Sequence, residues 1–161
     1  MKIYFLGVGG TIDKVYFDAL SAYQVGDPTI EPILKDARVN FEYSVISLIK
    51  KDSLDMTAED RENVRSAVEN INGRHIVITH GTDTMVETAK ALKSIKGKVI
   101  VLTGAMDPAI FKSSDASFNL GSAVAAVQTL SNGVYIAISG RVFEADSVRK
   151  DRSLKQFVDK D

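Results

Sequence analysis

The chain has 161 residues, a hydrophobic fraction of 45%, a charged fraction of 25% and a formal net charge of -1. That length supports one domain with a sizeable core, and that charge supplies no general field to draw nucleic acid or an acidic membrane surface. The lack of cysteine excludes a disulfide framework, a thiolate nucleophile and an iron–sulfur site, and no apolar stretch is long enough for a membrane span.

Met1 to Val8 reads as a buried strand, apolar almost without interruption, as in a sheet covered on both faces. It begins so early that no room is left for a signal peptide, which together with the cysteine-free composition sets a cytoplasmic expectation. Thr11 to Pro32 has little periodicity and reads as a hairpin or a long loop, the kind of segment that is often functional. Phe41 to Ile49 is a second strand. Thr57-Ala58-Glu59-Asp60 starts a helix, with aspartate as the acidic partner of a capping box. Val64, Ala67, Val68 and Ile71 recur at helical spacing, and Gly73 marks the stop.

Arg74 to Thr79 returns to strand. Met85, Ala89 and Leu92 outline a further helix, with Gly97 as its end. Lys98 to Leu102 is another buried strand, opening into Thr103-Gly104-Ala105-Met106-Asp107-Pro108. Ser117 to Leu130 is helical, Asn132-Gly133 a turn, and Val134 to Ile138 a strand. Gly140 to Lys150 reads either as a short hairpin or as a loop crossing the sheet edge. Strands alternating with helices predict a three-layer α/β domain: a mostly parallel, Rossmann-like sheet with helices on both faces.

Ligands of such sheets sit beyond the carboxyl ends of the strands. Four small-residue turns fall there: Gly9-Gly10-Thr11, His80-Gly81-Thr82-Asp83-Thr84, Thr103-Gly104 and Gly140. The two threonine turns are the most informative. Glycine lets the backbone approach a ligand closely, threonine supplies a hydroxyl, and Asp83 a carboxylate beside Thr82. A threonine hydroxyl is a poor nucleophile without a neighbouring base or a strong field. Asp83 and Lys150 are the candidate helpers, so Thr82, Asp83 and Lys150 can form one proton-transfer group. Backbone donors near Gly10, Thr11 or Thr82 suit an oxyanion, which points to attack on an amide or acyl carbon. Taken alone, Thr11 is equally a turn cap, Asp83 a helix cap and Lys150 a solvated surface lysine.

Other chemistries fit less well. His75 and His80 flank a strand with no cysteine near, and Asp107 and Asp115 add no ligand spacing, so no metal site is expected. The cluster Gly7-Val8-Gly9-Gly10 is followed by Ile12 where a dinucleotide fingerprint needs glycine, and Gly97-Lys98 runs into Val99 rather than a phosphate loop. The late basic run of Arg149, Lys150, Arg152 and Lys155 is interrupted by Asp151 and is not a nucleic-acid footprint.

Gly9-Gly10-Thr11-Ile12 and Thr79 through Ala89 resemble the two signature segments of the bacterial-type L-asparaginases, the second at length. Leu102-Thr103-Gly104-Ala105-Met106 and Asp115 to Leu120 resemble further segments. The resemblance implies hydrolysis of the asparagine side-chain amide to aspartate and ammonia, with glutamine as a lesser substrate and no cofactor. It makes Thr11 the nucleophile of an acyl-enzyme. Thr82, Asp83 and Lys150 become the proton-moving set, and Tyr23 the tyrosine of a mobile lid. It also implies a substrate pocket of Gly10, Ser53, Gly81, Thr82, Asp83 and Ala105, with Ser53 toward the α-carboxylate and Asp83 toward the α-amine.

The chain departs from that pattern in four places. Leu54 follows Ser53 where glutamine is common. Asp13 and Lys14 replace small residues. Asp146 and Ser147 stand where arginine and aspartate are usual. Finally, residues 1–161 correspond to the amino-terminal catalytic domain alone, without the second domain that completes a neighbouring subunit's site. Both a naturally short single-domain form and an isolated domain of a longer protein fit this, and in either case a homodimer or higher oligomer is the expectation, with a small amino-acid substrate and neither nucleic acid nor membrane as partner. The competing readings are an asparagine- or aspartate-binding regulatory module with little catalysis, and an amidase for another small amide.

Overall fold

The computed structural model describes residues 1–160, and its elements follow from the apolar pattern. A six-stranded sheet runs in the order β4 (Glu42–Lys51), β1 (Lys2–Gly9), β5 (His75–Thr79), β6 (Val99–Thr103), β7 (Gly133–Ile138) and β8 (Arg141–Glu144). The first five are mutually parallel, and β8 turns back antiparallel on β7. Alternate side chains of each central strand enter opposite cores. Leu6, Ile76, Ile78, Ile100, Leu102 and Ile136 pack on one face with Val64 and Val68 of α2 (Ala58–Asn70) and Met85 and Ala89 of α3 (Met85–Ala91). Ile3, Phe5, Val77, Val99 and Val101 pack on the other with Ile30 and Leu34 of α1 (Ile30–Asp36) and Leu120, Ala123 and Val127 of α4 (Ala116–Thr129). Both faces are covered, which is why these strands read as continuous apolar runs.

The three-layer fold is the one the sequence predicts, with local differences. Thr11 to Pro32 resolves into a hairpin, β2 (Lys14–Phe17) against β3 (Ala22–Val25), followed by the start of α1. That seven-residue helix has no clear periodicity, but it carries Pro32 in its first turn, where the missing N–H costs nothing. The α2 capping box forms as expected: Thr57 Oγ1 accepts from Asp60 N, and Asp60 Oδ2 accepts from Thr57 N. Helix α3 ends at Ala91, well before Gly97. Gly97, at φ 74°, instead turns the chain into β6. The ambiguous stretch after Gly140 becomes β8 and then β9 (Val148–Asp151), which pairs with β10 (Gln156–Asp159).

With the parallel strands numbered alone, the sheet order is that of a doubly wound fold whose chain direction reverses between β1 and β5. Loops leaving the carboxyl ends of those two strands run to opposite faces and open a crevice between them. The two threonine turns follow β1 and β5.

Candidate active site

The two turns meet backbone to backbone. Gly10 sits at φ 91°, and a Cβ placed there would lie 2.3 Å from both Cα and N of Gly81. Only glycine satisfies both the positive φ and this contact. Gly81 packs in turn on Ser53, and Gly104 on the carbonyl of His80, where an added Cβ would approach within 2.3 Å. Backbone bonds fix the seam: Gly10 N donates to Lys51 O (3.0 Å), and His80 N donates to Thr103 O (2.9 Å). The Gly10 N–H is therefore engaged, leaving those of Thr11 and Thr82 as the candidate oxyanion donors.

His80 locks the second turn from within. It is fully buried, with Nδ1 donating to Gly81 O (2.7 Å), so Nε2 accepts from Thr88 Oγ1 (2.8 Å). Burial pushes its pKa down to about 4, so the ring is neutral at pH 7. Its part is to orient the turn, and it does not line the cleft. The loop after β6 is held by Asp115, whose carboxylate accepts from Met106 N and Asp107 N. Asn119 Nδ2 donates to Gly104 O and its Oδ1 accepts from Ser139 N.

This frame opens a cleft of about 370 Å³ lined by Thr11, Thr82, Asp83 and Lys150, with Met106, Asp107, Arg152 and Lys155. Lys150 Nζ donates to Thr82 Oγ1 (2.7 Å) and to Asp83 Oδ1 (2.8 Å). The lysine side chain is 12% exposed and that of Asp83 34%, so the pair is only partly screened by water. Strand β9 brings Lys150 here. Its neighbours Val148 and Phe157, the latter across the ladder, are buried in the core. Asp83 does not cap α3. Thr84 occupies that position, and its hydroxyl donates to Ser53 O (2.8 Å).

The remaining sequence candidates lie around this cleft. Ser53 and Ala105 are 2% and 1% exposed and pack behind its wall, Ser53 against Gly81 and Ala105 with Ile12 and Ala116. Tyr23 stands on the β2–β3 hairpin, its ring edge-on to Tyr16 (5.4 Å between centroids) and Phe111 (5.9 Å). It lines an adjoining depression with Lys14 and Asp52 rather than the cleft of Thr11. Asp107, Arg152 and Lys155 are cleft residues that sequence reasoning did not place there. For the last two, the basic run beginning at Arg149 was the available signal. Among the described residues, no group of three or more His, Cys, Asp or Glu side chains could hold a metal ion, and no helix is long and apolar enough to cross a membrane.

Known proteins share the sequence and the fold of this chain. The family described as "Asparaginase, N-terminal" matches residues 2–157. The chain is 34% identical over 162 residues to a probable periplasmic L-asparaginase of Haemophilus influenzae, covering 92% of this chain and 46% of that protein. It is 37% identical over 109 residues to a glutaminase-asparaginase of Acinetobacter glutaminasificans, covering 65% and 32%. The solved thermostable L-asparaginase of Thermococcus kodakarensis superposes with a TM-score of 0.85 at 29% identity, over 99% of this chain and 51% of that one. The chain thus spans about half the length of the relatives it matches. In sequence and in fold, it belongs to the bacterial-type L-asparaginase family, corresponding to that family's amino-terminal catalytic domain.

Proposed function

We propose that this chain hydrolyses the side-chain amide of L-asparagine to L-aspartate and ammonia, with glutamine as a minor substrate. The observation that carries the reading is the convergence of Thr11, Thr82, Asp83 and Lys150, from three separate segments, on one cleft. Thr11 Oγ1 adds to the amide carbon and its hydroxyl proton passes to the departing nitrogen. Ammonia leaves, and an aspartyl ester remains on Thr11. Water then adds to the ester, gives one proton back to Thr11 and releases aspartate. Lys150 holds Thr82 and Asp83 in one hydrogen-bonded unit, placed to carry protons and to orient the water. The Thr11 and Thr82 N–H groups serve the oxyanion. Asp83 faces the substrate's amine, Gly10 and Gly81 set how closely the backbone approaches, and Ser53 and Ala105 fix the width of the wall. Tyr23 acts from the hairpin as the tyrosine of a lid.

The chain working in a homodimer or higher oligomer and in the cytoplasm belongs to the same proposal. The open cleft beside exposed Tyr23 and Phe111 supports association, and a measured mass of monomer alone at assay concentration counts against it. Ammonia release from asparagine tests the activity. Turnover by the chain and none by Thr11→Ala supports it, and equal rates for the two refute it. Leu54 favours a second reading, an amidase for a related small amide, which turnover across a panel of amides separates.

A further inference from the structure

Four consecutive residues at the exit of β4 each take a different partner around the site. Lys50 pairs with Asp27, just past β3. The Lys51 carbonyl accepts from Gly10 N. Asp52 pairs with Lys14, the first residue of β2, at 2.9 Å. Ser53 packs on Gly81, and its carbonyl accepts from Thr84 Oγ1. The nucleophile turn, both feet of the Tyr23 hairpin and the second threonine turn are thus tied to one short strip.

The two ion pairs of the strip differ in strength. The side chains of Lys50 and Asp27 are 50% and 85% exposed, so water screens their attraction. Those of Lys14 and Asp52 are 28% and 31% exposed, and Asp52 uses both of its oxygens. Oδ2 faces Lys14 Nζ, while Oδ1 accepts from Leu54 N (3.1 Å) and caps the short turn Ser53–Asp55. Lys14, foremost, and the Leu54 N–H hold the Asp52 carboxyl below its ordinary value, so it is ionised at pH 7. One carboxylate therefore joins the hairpin to the turn that carries Ser53.

Neither Lys14 nor Asp52 lines the cleft of Thr11, and the proton-moving set uses neither. Lys14 is also one of this chain's departures from the family pattern. Along the hairpin it stands two residues before Tyr16, which is the cross-strand partner of Tyr23. Loss of its charge frees the β2 foot and leaves Asp52 to turn toward water, carrying the Ser53 turn away from Gly81.

Resting on the amide-hydrolase reading, we infer that Lys14 and Asp52 are positioning residues, whose ion pair latches the Tyr23 hairpin to the Ser53 turn and so holds the wall of the cleft in its ligand-binding position. Calorimetry with L-aspartate and steady-state ammonia release from asparagine test it. In Lys14→Gln the dissociation constant for aspartate and KM for asparagine rise about three- to fivefold, while kcat stays within about twofold of the parent. Asp52→Asn, which keeps an acceptor for Leu54 N, gives the same loss. The double variant loses no more than either single one, because each breaks the same contact. Lys14→Arg, which keeps the charge, binds aspartate within about twofold of the parent.

Unchanged aspartate affinity and KM in both single variants overturn the latch and leave amide hydrolysis standing. Losses that multiply in the double variant also overturn it, since the two residues then act separately. So does a fall in kcat at constant KM, which places their effect in the chemistry. Coupled loss of aspartate binding in a chain that releases no ammonia keeps the latch and removes hydrolysis. A parent chain that neither binds aspartate nor releases ammonia removes both.

Discussion

Replacing Asp13 with asparagine isolates the energetic effect of one buried charge. Asp13 is 1% exposed and follows Thr11 by two residues. Oδ1 accepts from Thr29 N (2.8 Å) and Thr29 Oγ1 (2.9 Å), whereas Oδ2 has no partner. Its own carbonyl accepts from Gly26 N (2.8 Å) and closes the base of the β2–β3 hairpin. Burial outweighs the Thr29 bonds and raises its pKa from 3.8 to about 6. The folded chain therefore holds this proton more tightly than the unfolded chain. The stability so contributed is complete below pH 3.8 and is lost as pH rises through about 6. A shift of that size is worth about 3 kcal/mol in full, and about 2 kcal/mol between pH 4 and 7.5.

Asparagine keeps the Oδ1 acceptor and does not ionise. The stability of Asp13→Asn relative to the parent should therefore rise by about 2 kcal/mol from pH 4 to pH 7.5, whatever its offset at any one pH. Urea unfolding at four pH values measures this difference. His80 provides an internal check with the opposite sign. Its pKa is lowered from 6.5 to about 4, so its contribution is present above pH 6.5 and disappears as pH falls through about 4. In the parent the two slopes largely offset each other between pH 4 and 6; in Asp13→Asn the acid loss due to His80 stands alone. A variant-minus-parent difference that stays flat, or falls as pH rises, would refute the reasoning.

Three further substitutions probe the site's frame and chemistry. Gly10→Ala puts a methyl 2.3 Å from the Gly81 backbone at a positive φ, so it should lower stability by about 2 kcal/mol or more and abolish ammonia release; an unchanged urea midpoint would show that the two turns separate at little cost. Thr88→Val removes the hydroxyl bonded to His80 Nε2 at nearly constant volume and should cost about 1–3 kcal/mol in the same assay, with an unaltered midpoint as the contrary result. Lys150→Gln breaks the link between Thr82 and Asp83 and should lower kcat about 10²–10⁴-fold while the chain stays folded by circular dichroism. Activity within tenfold of the parent would take this lysine out of the proton path.

Local patterns along the chain already carried much of this. The apolar runs of β1, β5 and β6, the helical spacing of Val64 and Val68, and the Thr57–Asp60 box each depend on neighbours a few residues away, and each appears where the pattern puts it, whereas Ile71, on the same spacing, lies just past the end of α2 in extended conformation. The same holds for the glycine–threonine turns, whose chemistry is written in consecutive residues. Helix α1 was not legible because seven residues make too short a period, and α3 stops at Ala91 although its apolar spacing continues to Leu92. The hairpins after Gly140 depend on which edge the chain meets, a matter of pairing rather than composition.

The sequence by itself determined the alternation of strands and helices, the sheet buried on both faces and the reactive residue types at the strand ends. Only the tertiary structure decided that β1 lies beside β5, that Gly10 touches Gly81, that Lys150 reaches across 68 residues to Thr82, and that Asp13 and His80 lose their water. Periodicity is a property of adjacent residues, whereas burial, charge pairing and convergence on a cleft arise from strand order and packing among distant ones.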